Sequence, residues 1–184
     1  MKKPADSHRF FVRFVVKIIF CLLATAAVAA LIRTRIQPAK LSADTVDRIV
    51  VEKSARKLLV FRNGRELKSY MIFLGSNPVG HKQEEGDMKT PEGNYTIDYR
   101  NPHSDYHLAL HISYPNPDDQ ARAAERGVSP GGDIMIHGFP NGSGWTENSQ
   151  PQRDWTAGCI ALTDPEIEEL WQIVPDGTPI EIRP

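Results

Sequence analysis

Cys159 and His137 are residues of the types that carry nucleophilic catalysis, and each is followed or preceded by a glycine. A thiol becomes a strong nucleophile only when it loses its proton, and a neighbouring imidazole is the usual base. Gly158 would let a substrate carbonyl approach the sulfur closely, with adjacent amides facing an oxyanion. The Gly138 carbonyl is placed to hold the second imidazole nitrogen. These residues predict a cysteine–histidine site; the alternative is a buried cysteine and a hydrogen-bonded structural histidine.

Three histidines could suggest a metal site, since His103, His107 and His111 are spaced by four residues. On a helix this spacing would align them as ligands. Residues 107–114 instead alternate between apolar and polar types, which predicts a β-strand. In a strand His107 and His111 lie about 13 Å apart, too far to share one ion. No metal site is therefore predicted.

The elements that must position the cysteine and the histidine are predicted to be mainly strands. Asn63-Gly64 separates two apolar-rich runs, which is a strong signal for a β-hairpin. Further strands are expected at 49–51, 93–99, 107–114, 133–136 and 178–182. The clearest helix is 165–174, where apolar residues recur at helical spacing behind a capping box, and 117–126 predicts a shorter one. The fold class is therefore mainly β with one or two short helices.

The N-terminal 35 residues differ from the rest of the chain. They contain seven Lys or Arg and one Asp, and residues 18–32 are an uncharged apolar run. This pattern is typical of a transmembrane anchor or a signal peptide, and small residues within the run leave cleavage open. The excess of positive charge before the run predicts a cytosolic N-terminus and an exported body. We therefore expect a membrane segment at 1–35, a linker at 36–47 and a catalytic domain at 48–184.

Charge and cysteine content narrow the possible functions. After residue 35 the chain carries 15 basic and 22 acidic residues, a formal charge of about −7. Such an acidic body has no general attraction for nucleic acid. Cys21 lies in the apolar run and cannot meet Cys159 across a membrane, so Cys159 is expected to be a free thiol in an oxidising compartment.

The chain resembles the YkuD-type L,D-transpeptidases, the cysteine enzymes of bacterial peptidoglycan. Residues 86–93 read Gly-Asp-Met-Lys-Thr-Pro-Glu-Gly, and the His-Gly and Gly-Cys pairs follow in the order typical of the family. The segments that carry the resemblance are 50–61, 86–97, 134–138 and 156–162. The resemblance implies a β-sandwich with a capping loop over the cysteine. It also implies a location in the cell envelope, in the periplasm or on the outer face of the inner membrane.

The resemblance implies a role for each matching residue. Cys159 would be the nucleophile, His137 the base, and the Gly138 carbonyl the group that orients the imidazole. The amides of Gly158 and Cys159 would form the oxyanion hole. The implied substrate is a peptidoglycan stem tetrapeptide, attacked at the L-centre of meso-diaminopimelate, and no metal or organic cofactor is implied. Four further residues are candidates for lining the substrate: Tyr114, Asn116, Trp145 and Trp155.

The sequence departs from the usual family motif, Ser/Thr-His-Gly-Cys with Arg two residues after the cysteine. Ala157 and Ala161 stand at the histidine and arginine positions. This variant resembles the YafK-like branch, some members of which are linked to cutting peptidoglycan-linked amides rather than to crosslinking. Transfer to an amine and hydrolysis, as an L,D-carboxypeptidase or amidase, therefore both stay open. A non-catalytic module that binds the wall is the alternative of another class.

Overall fold

Short apolar runs separated by turn residues form the strands of this protein. The computed structural model describes residues 45–146, 148–149 and 151–184. The predicted membrane segment 1–35 and most of the predicted linker lie outside these residues. Within the described ranges, no helix has the length and apolar character needed to cross a bilayer.

Eight strands and two helices make up the described part of the chain. The strands are β1 (Arg48–Glu52), β2 (Lys57–Arg62), β3 (Arg65–Met71), β4 (Gly93–Ser104), β5 (His107–Ile112), β6 (Met135–His137), β7 (Ile160–Ala161) and β8 (Pro179–Arg183). The helices are α1 (Pro117–Glu125), between β5 and β6, and α2 (Asp164–Ile173), between β7 and β8. The predicted fold class, mainly β with short helices, is confirmed.

The strands form one eight-stranded sheet in the order β3-β2-β1-β8-β4-β5-β6-β7. β4 pairs with β8 through its first residues and with β5 through its later ones, so it joins two halves of the sheet. Buried side chains of both halves belong to one hydrophobic cluster, which also includes Ile167 and Leu170 of α2. The two halves and α2 therefore share a single core, and β6 and β7 lie at one end of the sheet.

The hairpin between β2 and β3 forms where Asn63-Gly64 predicts it. Asn63 has a φ of 51° and Gly64 a φ of 75°, as a tight hairpin turn requires. β3 ends at Met71, although the apolar residues that follow the hairpin turn continue to Leu74. The reason is that Phe73 leaves β2 and pairs instead with Ala161, through backbone hydrogen bonds of 2.9 and 2.8 Å. This bridge covers the side of β7 that faces away from β6.

Both helices begin at the capping residues that the sequence contains. At α2, the backbone N–H of Thr163 donates to the Glu166 carboxylate at 3.0 Å, and the Thr163 hydroxyl donates to it at 2.7 Å. At α1, the Asn116 side chain accepts from the N–H of Asp119 at 3.0 Å. The predicted helices at 165–174 and 117–126 are thus confirmed to within a residue at each end.

Candidate active site

Two parallel strands bring the predicted nucleophile and base close together. β6 and β7 pair with Ile136 opposite Ile160 and His137 opposite Ala161. Cys159 directly precedes β7 and so lies two register positions from His137. With strands about 4.8 Å apart and a rise of about 3.3 Å per residue, the two Cα atoms are about 8 Å apart. Strand alternation places both side chains on the same face of the sheet.

The thiol of Cys159 contacts backbone groups that lead into β6. The N–H of Met135 donates to Sγ at 3.4 Å, and the thiol donates to the carbonyl of Asp133 at 3.5 Å. Burial raises the pKa of the Cys159 thiol, an effect that Asp133 increases and that the Met135 N–H and the Lys82 charge oppose. The side chain is nevertheless partly exposed. Cys159 is therefore held as a reachable neutral thiol that needs a base.

The imidazole of His137 is buried, with 4% of the residue exposed. Nδ1 lies 2.7 Å from the carbonyl oxygen of Gly138, which is the contact expected from the sequence. Because a carbonyl can only accept, Nδ1 carries the hydrogen and Nε2 keeps its lone pair. Burial lowers the pKa of His137, although the hydrogen bond to Gly138 acts in the opposite direction. His137 is therefore neutral near pH 7 and able to accept a proton at Nε2.

Gly138 occupies a position that no larger residue fits. A Cβ added there would lie 2.6 Å from the Asp164 carboxylate and 3.0 Å from Cβ of His107. The N–H of Gly138 donates to the backbone carbonyls of Tyr106 at 3.0 Å and Leu108 at 3.3 Å. The residue whose carbonyl orients the imidazole is thus held on its N–H side by the β4–β5 hairpin.

The N–H of Gly158, predicted to form half of an oxyanion hole, has a hydrogen-bond partner within the chain, and its role as an oxyanion donor stays a prediction. Its N–H donates to the Thr156 hydroxyl at 3.1 Å, and that hydroxyl donates to the Cys159 carbonyl at 2.7 Å. Gly158 has a φ of 137°, and a Cβ there would lie 2.7 Å from the Lys89 carbonyl oxygen. Gly158 therefore allows close backbone packing, and the Cys159 amide is the other predicted oxyanion donor.

The 86–93 motif supplies the backbone against which the cysteine loop, residues 156–159, packs. The carbonyl of Lys89 faces Gly158, and the carbonyl of Met88 occupies the space that a Cβ on Gly75 would need. The N–H of Gly75 donates to the Thr90 hydroxyl at 3.1 Å. Through these contacts the motif supports the backbone around Cys159.

A buried lysine fixes this motif to the end of β1. Lys53 is 2% exposed, and its Nζ donates to the carbonyls of Gly80 at 2.7 Å and Thr90 at 2.9 Å. It also pairs with the Glu92 carboxylate at 2.8 Å. Burial lowers the pKa of Lys53, while the hydrogen bond and charge of Glu92 oppose that shift. The lysine thus holds both ends of the 80–92 segment.

An aromatic cluster lies beside His137. The ring of Tyr106 is 4.5 Å from the imidazole between centroids, and the ring of Trp155 is 5.7 Å from it. Trp145 extends the cluster, with its ring 5.2 Å from that of Trp155. Of the predicted lining residues, Trp155 therefore lies next to the base and Trp145 lies next to Trp155. Tyr106 was not singled out from the sequence.

The other two predicted lining residues have partners within the fold. Tyr114 is 3% exposed, and its hydroxyl donates to the Pro130 carbonyl at 2.9 Å. The Asn116 side chain caps α1 through the N–H of Asp119. These polar groups are thus paired inside the protein, and the lining role of Tyr114 and Asn116 stays a prediction.

The spaced histidines pair separately with carboxylates. His107 and His111 both lie on β5, as the alternation predicts, and their ring nitrogens contact Glu168 at 2.8 Å and Asp98 at 2.6 Å. Within the described residues, no group of three or more His, Cys, Asp or Glu side chains is arranged to hold a metal ion.

Comparison with known proteins identifies the family. The chain matches the YkuD family, the L,D-transpeptidase catalytic domain, over residues 46–182. The protein belongs to this family. The resemblance seen in the sequence is thereby confirmed. The enzymes of this family act on peptidoglycan.

This YkuD protein is similar to three relatives with known names. YafK of Escherichia coli is 35% identical over 111 residues, which cover 59% of this chain and 37% of YafK. The helical cell shape determining protein Pgp2 of Campylobacter jejuni is 29% identical with a TM-score of 0.59, over 82% of this chain and 53% of that chain. Bd1075 of Bdellovibrio bacteriovorus is 30% identical with a TM-score of 0.54, over 80% of this chain and 51% of that chain. The chain thus spans about half the length of the two structural relatives and less of YafK.

Proposed function

We propose that this protein is a cysteine-dependent acyltransferase of peptidoglycan stem peptides, with Cys159 as nucleophile and His137 as base. The observation that carries the proposal is the arrangement on β6 and β7. A partly exposed thiol lies two register positions from a neutral imidazole whose Nδ1 is bound to the Gly138 carbonyl. That tautomer leaves Nε2 as the proton acceptor, which is what a weakly acidic thiol requires.

The first half of the reaction forms a thioester. Nε2 of His137 takes the thiol proton as Sγ of Cys159 attacks the carbonyl at the L-centre of meso-diaminopimelate in a stem tetrapeptide. A C–S bond forms, and the oxyanion receives the N–H of Cys159. As the intermediate collapses, the C–N bond to D-Ala breaks, and His137 returns the proton to the leaving amine.

The second half releases the acyl group. An acceptor amine loses a proton to His137 as it attacks the thioester, the C–S bond breaks, and the proton returns to Sγ. With an amine the product is a crosslink; with water it is a shortened peptide, the L,D-carboxypeptidase or amidase outcome. Trp145 and Trp155 offer the flat surfaces on which a peptide could rest beside His137.

The proposed location is the cell envelope. We place the catalytic domain, residues 48–184, on the periplasmic side of the inner membrane, where its peptidoglycan substrate lies. The segment 1–35 would be either its anchor or a cleaved signal, on the sequence pattern alone. The relative Pgp2 is named as a determinant of helical cell shape. A role in remodelling the wall would fit the same chemistry.

Muropeptide analysis tests the proposal. The full chain, in detergent, is incubated with purified disaccharide-tetrapeptides, and the products are separated by chromatography and identified by mass. Dimers indicate transfer and tripeptide monomers indicate hydrolysis; both should be lost in Cys159→Ala and retained in Cys21→Ala, the matched thiol control. Unchanged products with Cys159→Ala, or binding to sacculi with no product from the wild type, would overturn the proposal.

A further inference from the structure

The turn between β4 and β5 is joined by hydrogen bonds to the segment that follows His137. The carbonyl of Tyr106 accepts the N–H of Gly138 at 3.0 Å, and the carbonyl of Asp105 accepts the N–H of Asn141 at 2.8 Å. In the opposite direction, the Asn141 side chain accepts the N–H of His107 at 3.1 Å. This network makes the turn and residues 138–141 one connected unit.

The ring of Tyr106 lies against the imidazole as part of the same unit. Its centroid is 4.5 Å from that of His137 with the planes at 40°, and 6.0 Å from that of Trp155. Tyr106 is 39% exposed, whereas His137 is 4% exposed. One side of the tyrosine ring therefore faces water while the other covers the imidazole.

We propose that Tyr106 is a positioning residue for His137. Its backbone carbonyl accepts the N–H of Gly138, the residue whose carbonyl binds Nδ1 of the imidazole, and its ring keeps water from the imidazole. The inference deepens the proposed function and rests on His137 being the base. It assigns a role to a turn residue that no sequence motif marks.

The most direct effect of the Tyr106 ring is to exclude water from the imidazole of His137. The pKa of His137 is lowered by burial and raised by the hydrogen bond to Gly138, and the side chains of Asp164 and His107 lie next to Gly138. Asp164 accepts the N–H of Phe139 at 2.8 Å, and His107 pairs with Glu168 at 2.8 Å, so both have partners other than the imidazole. Removing the ring therefore mainly hydrates the imidazole, which stabilises its charged form and raises the pKa of His137.

An NMR titration of the histidine ring protons in the full chain, in detergent micelles, measures this effect directly. The His137 signal is assigned by its loss in His137→Gln. In Tyr106→Ala we expect its titration midpoint to rise by about 0.5 to 1 pH unit, whereas Tyr106→Phe, which keeps the ring, stays close to the wild type. Tyr99→Ala is the matched control, because Tyr99 stacks on His111 at 4.3 Å and should leave the His137 midpoint unchanged.

Turnover supplies the second readout. In Tyr106→Ala we expect kcat to fall about tenfold with little change in KM. The acid limb of the kcat/KM profile should move to higher pH, by the same amount as the titration midpoint of His137. Tyr106→Phe should restore both. An unshifted His137 midpoint in Tyr106→Ala, alongside an inactive His137→Ala, would overturn this inference and leave the proposed function standing. Full activity of His137→Ala would overturn the proposed function, and the role of Tyr106 with it.

Discussion

His137 and Cys159 lie on neighbouring parallel strands, two positions apart in the register set by the pairs Ile136–Ile160 and His137–Ala161. They are 22 positions apart in the sequence, and the pairing of β6 with β7 brings them together. Each is adjacent to a glycine that permits close packing, at Gly138 against Asp164 and at Gly158 against Lys89. The site therefore depends on the pairing of β6 with β7 and on close packing at these two glycines.

Replacement of the base should slow turnover without unfolding the protein. We expect His137→Ala to reduce the rate of product formation by about 10² to 10⁴, the usual contribution of a positioned general base. His103→Ala is the matched control, since His103 is exposed on β4. A quantitative muropeptide assay measures both variants. Equal losses in the two variants would show that the effect is not specific to the base.

The pH dependence of catalysis should show that Cys159 and His137 are both neutral in the resting enzyme and do not form a thiolate–imidazolium ion pair. Because burial lowers the pKa of His137, the base stays neutral to below about pH 6.5, and the acid limb of kcat/KM should fall below that value. Because burial raises the pKa of Cys159, alkylation by iodoacetamide should have its midpoint above about pH 8.5. A thiol that alkylates at a constant rate down to pH 6 would contradict the neutral resting state.

The elements specified by local residues could be predicted, because a turn or a cap depends on neighbours in sequence. Asn63-Gly64 sets the β2–β3 hairpin, and Thr163 with Glu166 starts α2. The end of β3 could not be predicted, because Phe73 leaves its hairpin partner for Ala161, a contact far away in sequence.

In the candidate site, residue type predicts Cys159 and His137 as the reacting pair, and the predicted contact between the imidazole and the Gly138 carbonyl is present. The position of Tyr106 was missed because its turn contains no glycine; His107 adopts a φ of 66° there instead. The occupied Gly158 amide was missed as well, although a signal exists. Thr156 stands two residues earlier, and a hydroxyl at that spacing commonly accepts the N–H two residues on.

Gly158→Ala should destabilise the protein and disturb the nucleophile. The new Cβ would lie 2.7 Å from the Lys89 carbonyl in a backbone conformation that L side chains rarely adopt. We expect a loss of about 2 to 3 kcal/mol in the free energy of unfolding, measured by urea denaturation, and a lower rate of Cys159 acylation. Gly127→Ala is the control, because Gly127 also has a positive φ but no atoms within 4 Å of the added Cβ. It should cost about 1 kcal/mol and leave acylation unchanged.

Lys53→Met should loosen the segment that supports the cysteine loop. The change leaves the Glu92 carboxylate and the carbonyls of Gly80 and Thr90 without their shared donor. We expect the free energy of unfolding to fall by about 2 to 4 kcal/mol.

Lys68→Met is the comparison for that loss, since Lys68 pairs with Glu169 at the surface, where both side chains are largely exposed. An exposed pair contributes less than about 1 kcal/mol. Urea denaturation of the two variants under the same conditions measures the difference. If the two losses were equal, the buried contacts of Lys53 would not be what holds the 80–92 segment.

Acylation of Cys159 is the event on which the whole account rests, and a carbapenem captures it, because a thiolate opens the β-lactam ring to a stable thioester. The full chain is incubated with the carbapenem and its intact mass is measured, followed by peptide mapping. We predict one added carbapenem on the wild type, located at Cys159, present in Cys21→Ala and absent in Cys159→Ala. No adduct on the wild type, or an adduct that persists in Cys159→Ala, would contradict the account.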